Sequence, residues 1–384
     1  MFRMRVLLGA MLVATAAFGC ADRSLAAPLS SSELTYDRAL LGNFNLISLG
    51  NYNTNNETEG RILVGGNASV NGSTNVCFNG GCNGNTSFGG TGIQGYGALT
   101  VFGNVTGGFT VMNGGDIDVR GNVGASTYSL NGKGSLNVGG TTQSGTVIDS
   151  PTSIQTSQSS LAATVRNPAS GYSLKTSVAI NTVFPFGSNA TADFGKPLSN
   201  LSQGIAALPG SPGVTAQALP ANQSNSAFLA GADYTANGKT YGVVTTTLAN
   251  LVAEGQNFGG VQNGSGNNAT FVIVTGDVTN ATLPTLNSLY SNVLYDFVDA
   301  KSLIASGGFN GSILAPLATL TQSGVINGSL IVASLYQSAE LHQGNLFTGD
   351  LTGLMTTTSR VPEPASLALL GAGLAALATL RRRK

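Results

Sequence analysis

Gly103, Gly121 and Gly139 stand 18 residues apart, and around them the chain repeats the phrases LTVFGNVTG, IDVRGNVGA and LNVGGTTQS. Alternation of apolar and polar residues is the period of a half-buried strand. A unit this short holds two or three strands of about 4 to 5 residues plus their turns, so it cannot bury its own apolar side and must stack on its neighbours. Stacking at about 4.8 Å makes a β-helix. A second set lies near the other end, where NGSILAP begins at Asn310 and NGSLIVA at Asn327, a step of 17, followed by QGNLF around Gly344. Inward positions of such a coil take Val, Ile, Leu and Ala, while corners take Gly or Asn, which reach positive φ at least cost. Asn67, Asn104 and Asn122 each follow a glycine. They are either rungs of an amide ladder between coils or exposed corner residues.

Composition points the same way. Only 9% of the 384 residues are charged, against about 25% in an average soluble protein, which argues against a helix-rich, salt-bridged enzyme. The 42% hydrophobic content is too high for a disordered chain. The fold expected is mainly β, a β-helix or solenoid with one flanking α-helix. That helix is read from Ser150, where an N-cap serine, Pro151, and Ile154, Leu161 and Val165 precede the stop at Asn167-Pro168 and Gly171. Residues 170–235, rich in Pro, Asn, Ser and Gly, read as loops and short strands, and 286–297 is ambiguous between strand and helix.

The two ends read as addresses. Arg3 and Arg5, an apolar run from Val6 to Phe18 and then small residues form the layout of a secretory signal over residues 1–26. Lipidation at Cys20 is the alternative, but the Leu normally found three residues before such a cysteine is missing. At the other end, sixteen uncharged residues from Ala365 to Leu380 precede Arg381, Arg382, Arg383 and Lys384. As a helix they would span about 24 Å, short for a permanent anchor, with the cations retained in the cytoplasm. Pro362, Glu363 and Pro364 come just before. This order of features resembles the PEP-CTERM sorting signal of exopolysaccharide-producing Gram-negative bacteria, over residues 361–384. The resemblance implies transient inner-membrane insertion, cleavage near the Pro-Glu-Pro by an exosortase, and delivery to the cell surface or extracellular matrix; signal peptidase is the partner implied at the other end. Without the two terminal segments the body holds 10 basic and 15 acidic residues, a net charge of −5. That sign argues against nucleic acid as a partner.

The body, residues 27–360, resembles the choice-of-anchor A domain, a secreted bacterial module. The likeness is carried by Phe44, Gly50, Glu59-Gly60-Arg61 and Val64-Gly65-Gly66-Asn67, and by the closing phrase from Ser291 to Leu335. That closing phrase is also similar to the last coils of ice-binding β-solenoids. The family implies a surface or matrix protein, often adhesive, contacting exopolysaccharide, and supplies no catalytic residues. Glu59 and Arg61, two apart on a strand, are expected to pair with each other or to cap the solenoid.

Candidate chemistry is sparse. Cys77 and Cys82 are the two thiols left after removal of a signal peptide, which in an exported protein points to a disulfide; their spacing is not that of a zinc site. His342 is the single histidine, read as an exposed turn residue. Asp116 and Asp118 alternate along DIDVRG and are the one pair that could serve a β-helix lyase or hydrolase, but there is no tryptophan for stacking sugars. Asp296 and Asp299 lack a calcium loop around them. Thr245 to Thr247 is a single threonine run, without the repeat that an ice lattice requires. The expectation is a non-enzymatic surface protein that needs no cofactor or metal.

Overall fold

The computed structural model describes residues 29–356 except 79–81, 83–95, 132, 187–188, 222, 224–225, 256–257 and 289. The secretory signal, the Pro-Glu-Pro segment and the terminal cations lie outside the described residues.

Within them the chain is mainly β and coils as a stack of parallel strands, but the coils do not stack in chain order. Phe44–Ser48 pairs in parallel with Arg61–Val64 on one side and with 330–332 on the other. From Arg61–Val64 the first sheet continues outward through Leu99–Val101, Ile117–Val119, Ser135–Val138, Ser153–Thr156 and Ser173–Lys175. From 330–332 it continues the other way through 312–315, Val293–Phe297, Asn267–Thr275, Lys239–Thr247 and Gln217–Ala218. The chain thus starts mid-stack, winds to one end, returns along the outside over residues 176–216, and winds in again from the far end. Its last coil rests on its first.

Two more parallel sheets close the cross-section. One joins 52–54, 68–70 and 105–106 to 335–337, 319–322, 302–305 and Ala281–Thr282. In the other, Thr58 bridges Val76 and Leu341, which links the two halves. Inside the coil, register stacks like on like, as in the column Leu46, Ile62, Leu99, Ile117, Leu136 and Ile154, all buried. Each coil therefore buries its apolar side on its neighbours, as a unit too short for its own core must.

A second core lies outside the first sheet. Ile47, Leu63, Leu314 and Ile331 point outward there and remain buried, because two helices cover them. Helix α1, Ser31–Asn43, starts with a capping box in which Ser30 and Glu33 exchange side-chain and backbone hydrogen bonds, and it buries Leu34, Leu40 and Leu41. After the short turn α2, Ile180–Val183, helix α3, Lys196–Ala206, buries Leu198, Leu201 and Ile205 at helical spacing. Phe184, Phe186 and Phe194 of the return segment pack edge to face or stacked with Phe102 and Tyr96. A last short helix, α4, spans Leu248–Ala253.

The structure corrects three sequence readings. No helix starts at Ser150: Ser153–Thr156 and Thr164–Arg166 are strands, and Ser150 and Asn167, at φ 55° and 45°, are corners. The spacing of Ile154 and Val165 fits an inward position in one sheet followed by one in the next as well as it fits a helix. The flanking helices are α1 and α3, and α3 falls inside the stretch read as loops. Third, the stacked glycine column is Gly50, Gly66, Gly103, Gly121 and Gly140, not Gly139: from Gly66 onward each N–H donates to the preceding glycine carbonyl at 2.8–3.0 Å. The coil after Gly121 is one residue longer, since Val119 pairs with Val138. Within 286–297, Leu286 forms isolated bridges in the third sheet and Val293–Phe297 is a strand of the first sheet.

Candidate functional site

The corner after the glycine column sets up the most regular surface of the molecule. The Asn67 N–H donates to Asn51 Oδ1 at 3.0 Å, Asn104 N–H to Asn67 Oδ1 at 2.8 Å, and Asn122 N–H to Asn104 Oδ1 at 2.8 Å. Thr141 closes the series through its N–H and hydroxyl on Asn122 Oδ1, at 2.8 and 2.9 Å. The asparagines are exposed and also form the ladder, so the two readings of them are one arrangement. At the seam between halves the series continues, with Asn51 N–H donating to Ser334 Oγ at 3.2 Å. Asn51 and Ser334 were not singled out in the sequence, although Gly50-Asn51 is the same dipeptide as Gly66-Asn67.

The second sheet extends this corner into a face. Its inward residues Leu303, Leu320, Leu335, Tyr52, Ala68 and Val105 are buried. Their neighbours point out as two columns: Ser302, Thr319 and Ser334 running into the asparagine ladder, and Ile304, Thr321, Tyr336, Asn53, Ser69 and Thr106 beside it. None of these residues is charged. The result is a lattice of hydroxyl and amide groups spaced about 4.8 Å along the axis and about 7 Å across the strands. Tyr336, 54% exposed, stands above it. Among these pairs only Thr319 and Thr321 are both threonine; Thr245 to Thr247 lies in the first sheet, paired with 273–275.

The other candidates go elsewhere. The sulfurs of Cys77 and Cys82 lie at bonding distance with Cα atoms 5.6 Å apart, and both residues are buried. Arg61 is buried, donating to the Tyr96 carbonyl at 3.1 Å. Burial pushes its pKa down, against the pull of Asp116 and Asp118. Asp118 is buried as well, accepting from Asn137 Nδ2 at 2.7 Å and from the Gly97 N–H at 2.9 Å. Burial raises its pKa to about 7, an effect that these hydrogen bonds oppose. Asp116 accepts from the Ser135 N–H at 2.7 Å. Glu59 accepts from the Gln343 N–H of the closing turn at 3.0 Å, which ties the first coil to the last.

His342 differs from its expectation. It sits half-buried on a strand rather than on an exposed turn, with Nδ1 2.9 Å from Asn327 Oδ1 and Nε2 2.7 Å from Glu340 and 3.9 Å from Glu59. The reason is stacking: Asn310, Asn327 and His342 are consecutive partners in the third sheet. Asp296 lies beneath α3, where Ser202 donates to it at 2.7 Å, and burial raises its pKa well above the usual carboxylate range. Asp299 instead accepts from the Gly276 N–H at 3.0 Å. Among the described residues no group of three His, Cys, Asp or Glu side chains is arranged to hold a metal. No described helix is long and apolar enough to cross a membrane.

A stacked coil with an uncharged, regularly spaced outer face meets its counterpart in a family comparison: the family described as "Putative Ice-binding-like adhesive domain" matches residues 37–343. The chain belongs to this family. The adhesive domain thus takes in the whole coil stack and the return segment that covers it, and it stands where the sequence had pointed to choice-of-anchor A. Residues 360–384 match the PEP-CTERM protein-sorting motif, so the domain is exported and sorted to the surface as an exosortase substrate. No curated protein and no solved structure matches the chain.

Proposed function

We infer that this chain is a structural adhesion protein of the cell surface or exopolysaccharide matrix, as its likeness to choice-of-anchor A proteins also implies, and that the uncharged face of the second sheet is its contact surface. The single observation that carries the reading is the register of that face. Hydroxyl and amide groups recur at every coil, held by strand pairing and by the asparagine ladder, so a hydroxyl-rich polymer would meet many weak hydrogen bonds already in place. Such preorganisation lowers the entropy cost of binding, and repetition along the axis adds avidity. The face carries no charge, which suits a neutral glycan. Cys77 and Cys82 form a disulfide on export, and exosortase cleaves near Pro362-Glu363-Pro364 after Arg381, Arg382, Arg383 and Lys384 have held the tail at the inner membrane. The protein acts without catalysis: Asp118, half of the carboxylate pair that a lyase or hydrolase would need, is enclosed beneath the outer layer.

Co-sedimentation of the mature exported protein with purified matrix polysaccharide tests this. Thr321→Lys with Thr106→Lys, both at exposed positions, is expected to lower binding at least about tenfold while leaving the circular dichroism unchanged. Undiminished binding would sink the assignment of the face. The mass of surface-recovered protein is expected to lack residues beyond the Pro-Glu-Pro.

Ice binding is the second reading, favoured by the family description and by the same regularly spaced face. A mixed lattice of Ser, Asn and Thr with Tyr336 protruding breaks the regular threonine spacing that such a surface uses, so thermal hysteresis is expected to be absent.

A further inference from the structure

Among the described residues, both ends of the coil stack expose strand edges. At one end Thr164–Arg166 and Ser173–Lys175 each pair on one side only, with 147–149 and 153–155. Alternate residues of a parallel strand direct both backbone groups to the same side, so half of these N–H and C=O groups point along the axis, out of the molecule. The core of this coil is left partly uncovered: Leu161, Val165 and Tyr172 are half-buried and Leu174 is 45% exposed. At the other end Gln217–Ala218 and Phe228–Leu229 pair on one side only, with 244–245 and 261–262, and Leu229 is 59% exposed. There the antiparallel strand Tyr234–Ala236 covers only the neighbouring stretch 239–241.

Charge separates the two ends. Residues 127–182 hold Lys133, Arg166 and Lys175 against Asp149, a net of +2, whereas residues 211–282 hold Asp233, Glu254 and Asp277 against Lys239, a net of −2. An unpaired strand edge with apolar side chains is a template for another chain, and opposite potentials select which chain and in which orientation.

We propose that the two ends bind each other between copies, so that the adhesive domain assembles head to tail into filaments. The molecule already contains one such junction. Coil 330–342 and coil 44–58 are far apart in sequence, yet they dock by parallel pairing at Leu46 on Leu330 and Tyr52 on Leu335. Both halves advance along the axis in the same sense, so the 173–175 edge of one copy faces the 217–218 edge of the next as coil 44–58 faces coil 61–76. The two surfaces differ, and a heterologous contact of this kind does not close at two copies but continues. A filament multiplies the glycan-facing lattice along one axis; the assembly itself holds whether or not that lattice binds glycan.

Sedimentation velocity of the mature exported protein at rising concentration reads this directly. The weight-average mass is expected to pass twice that of the monomer, and raising salt from about 0.05 to about 0.5 M is expected to weaken association by screening. Leu174→Asn and Leu229→Asn, at opposite ends, remove the apolar contact without adding to the charge attraction and are each expected to lower the association constant at least about tenfold. Mixed together, the two variants retain one good end each and are expected to form one-to-one dimers that grow no further. Far-UV circular dichroism keeps a folding failure apart from a binding failure, and the variant that folds decides. A protein that stays monomeric at every concentration, a parent that stops at dimer, or folded variants that associate like the parent would each overturn the proposal.

Discussion

The two half-stacks that meet at the seam reach the same cross-section by different means. In the first, the first-sheet strands Leu99–Val101 and Ile117–Val119 are 3 residues long and Ser135–Val138 is 4, and the coils are tied at their corners by the glycine column and the asparagine ladder. In the second, Lys239–Thr247 and Asn267–Thr275 are 9 residues long, and α3 and α1 cover the outer face. Some glycines there, Gly266 and Gly276 at φ +85° and +89°, meet nothing within 4 Å, while a Cβ on Gly324 would lie 2.1 Å from the Gly307 carbonyl oxygen. A stack of short strands depends on close backbone approach at its corners. A stack of long strands draws on ladder length and a second apolar layer as well, and only some of its corners need glycine.

Substituting one glycine in each half puts that difference to its hardest test. A Cβ on Gly121 would lie 2.4 Å from the Gly103 carbonyl oxygen, and that carbonyl is held in the column, so neither side can yield without breaking a corner. Gly121→Val is expected to destabilise by roughly 4 kcal/mol or more, in the range reserved for overpacking and broken networks. Gly276→Ala adds only the cost of positive φ in open space, about 1–2 kcal/mol. Urea denaturation of both variants checks the ratio; equal losses would mean that the corners carry no more of the first half than of the second.

Two carboxylates, one in each half, are also expected to answer pH with opposite signs. In the first, Asp118 is raised from 3.8 to about 7 by burial, so between those values the native state holds a proton that the unfolded chain releases. Its stabilising contribution is complete below pH 3.8 and is lost as pH rises through about 7. In the second, Asp350 is held below the usual carboxylate range, because hydrogen bonds from Lys239, Thr352 and Tyr241 outweigh its burial. Its contribution is complete above the unfolded value and is lost as pH falls below it. Asp118→Asn is expected to flatten the fall in stability between about pH 4 and 7 by on the order of 2 kcal/mol, and Asp350→Asn to flatten the acid limb instead. Denaturation midpoints across pH 2 to 8, on the order of one unit apart, separate the two.

The first half was legible in the sequence because its repeat is local. Gly103 and Gly121, with the phrases around them, stated the coil length and the corner, and the error at Gly139 came from one extra residue that only strand register reveals. In the second half the repeat was legible only in its last two coils, at Asn310 and Asn327. Its longer coils carry loops and α4 between strands, which break any fixed period. What could not be read was the order of stacking, since nothing in a sequence says that Leu46 pairs with Leu330. The return segment was missed for a different reason: Leu198, Leu201 and Ile205 do mark a helix, but they sit in a stretch whose Pro, Asn and Ser content reads as loop. The contact face was half seen. Asn67, Asn104 and Asn122 showed through their glycines, while Ser302, Thr319 and Ser334 lack a corner glycine and join the column only through register.

The smallest expected effect decides what the ladder is. Asn104→Ala removes the acceptor of the Asn122 N–H, now 2.8 Å away, at an exposed corner where water can replace it. The expected loss is therefore about 1 kcal/mol, and Ser334→Ala, which removes the 3.2 Å rung at the seam, should cost less. Bulk stability alone would not distinguish a bonded ladder from a row of exposed amides. Amide hydrogen exchange does: in Asn104→Ala the Asn122 amide should exchange faster while the Gly121 amide, bonded to the Gly103 carbonyl, keeps its protection. Unchanged exchange at Asn122 would reduce the asparagines to corner residues and leave the glycine column alone to hold the short-strand half together.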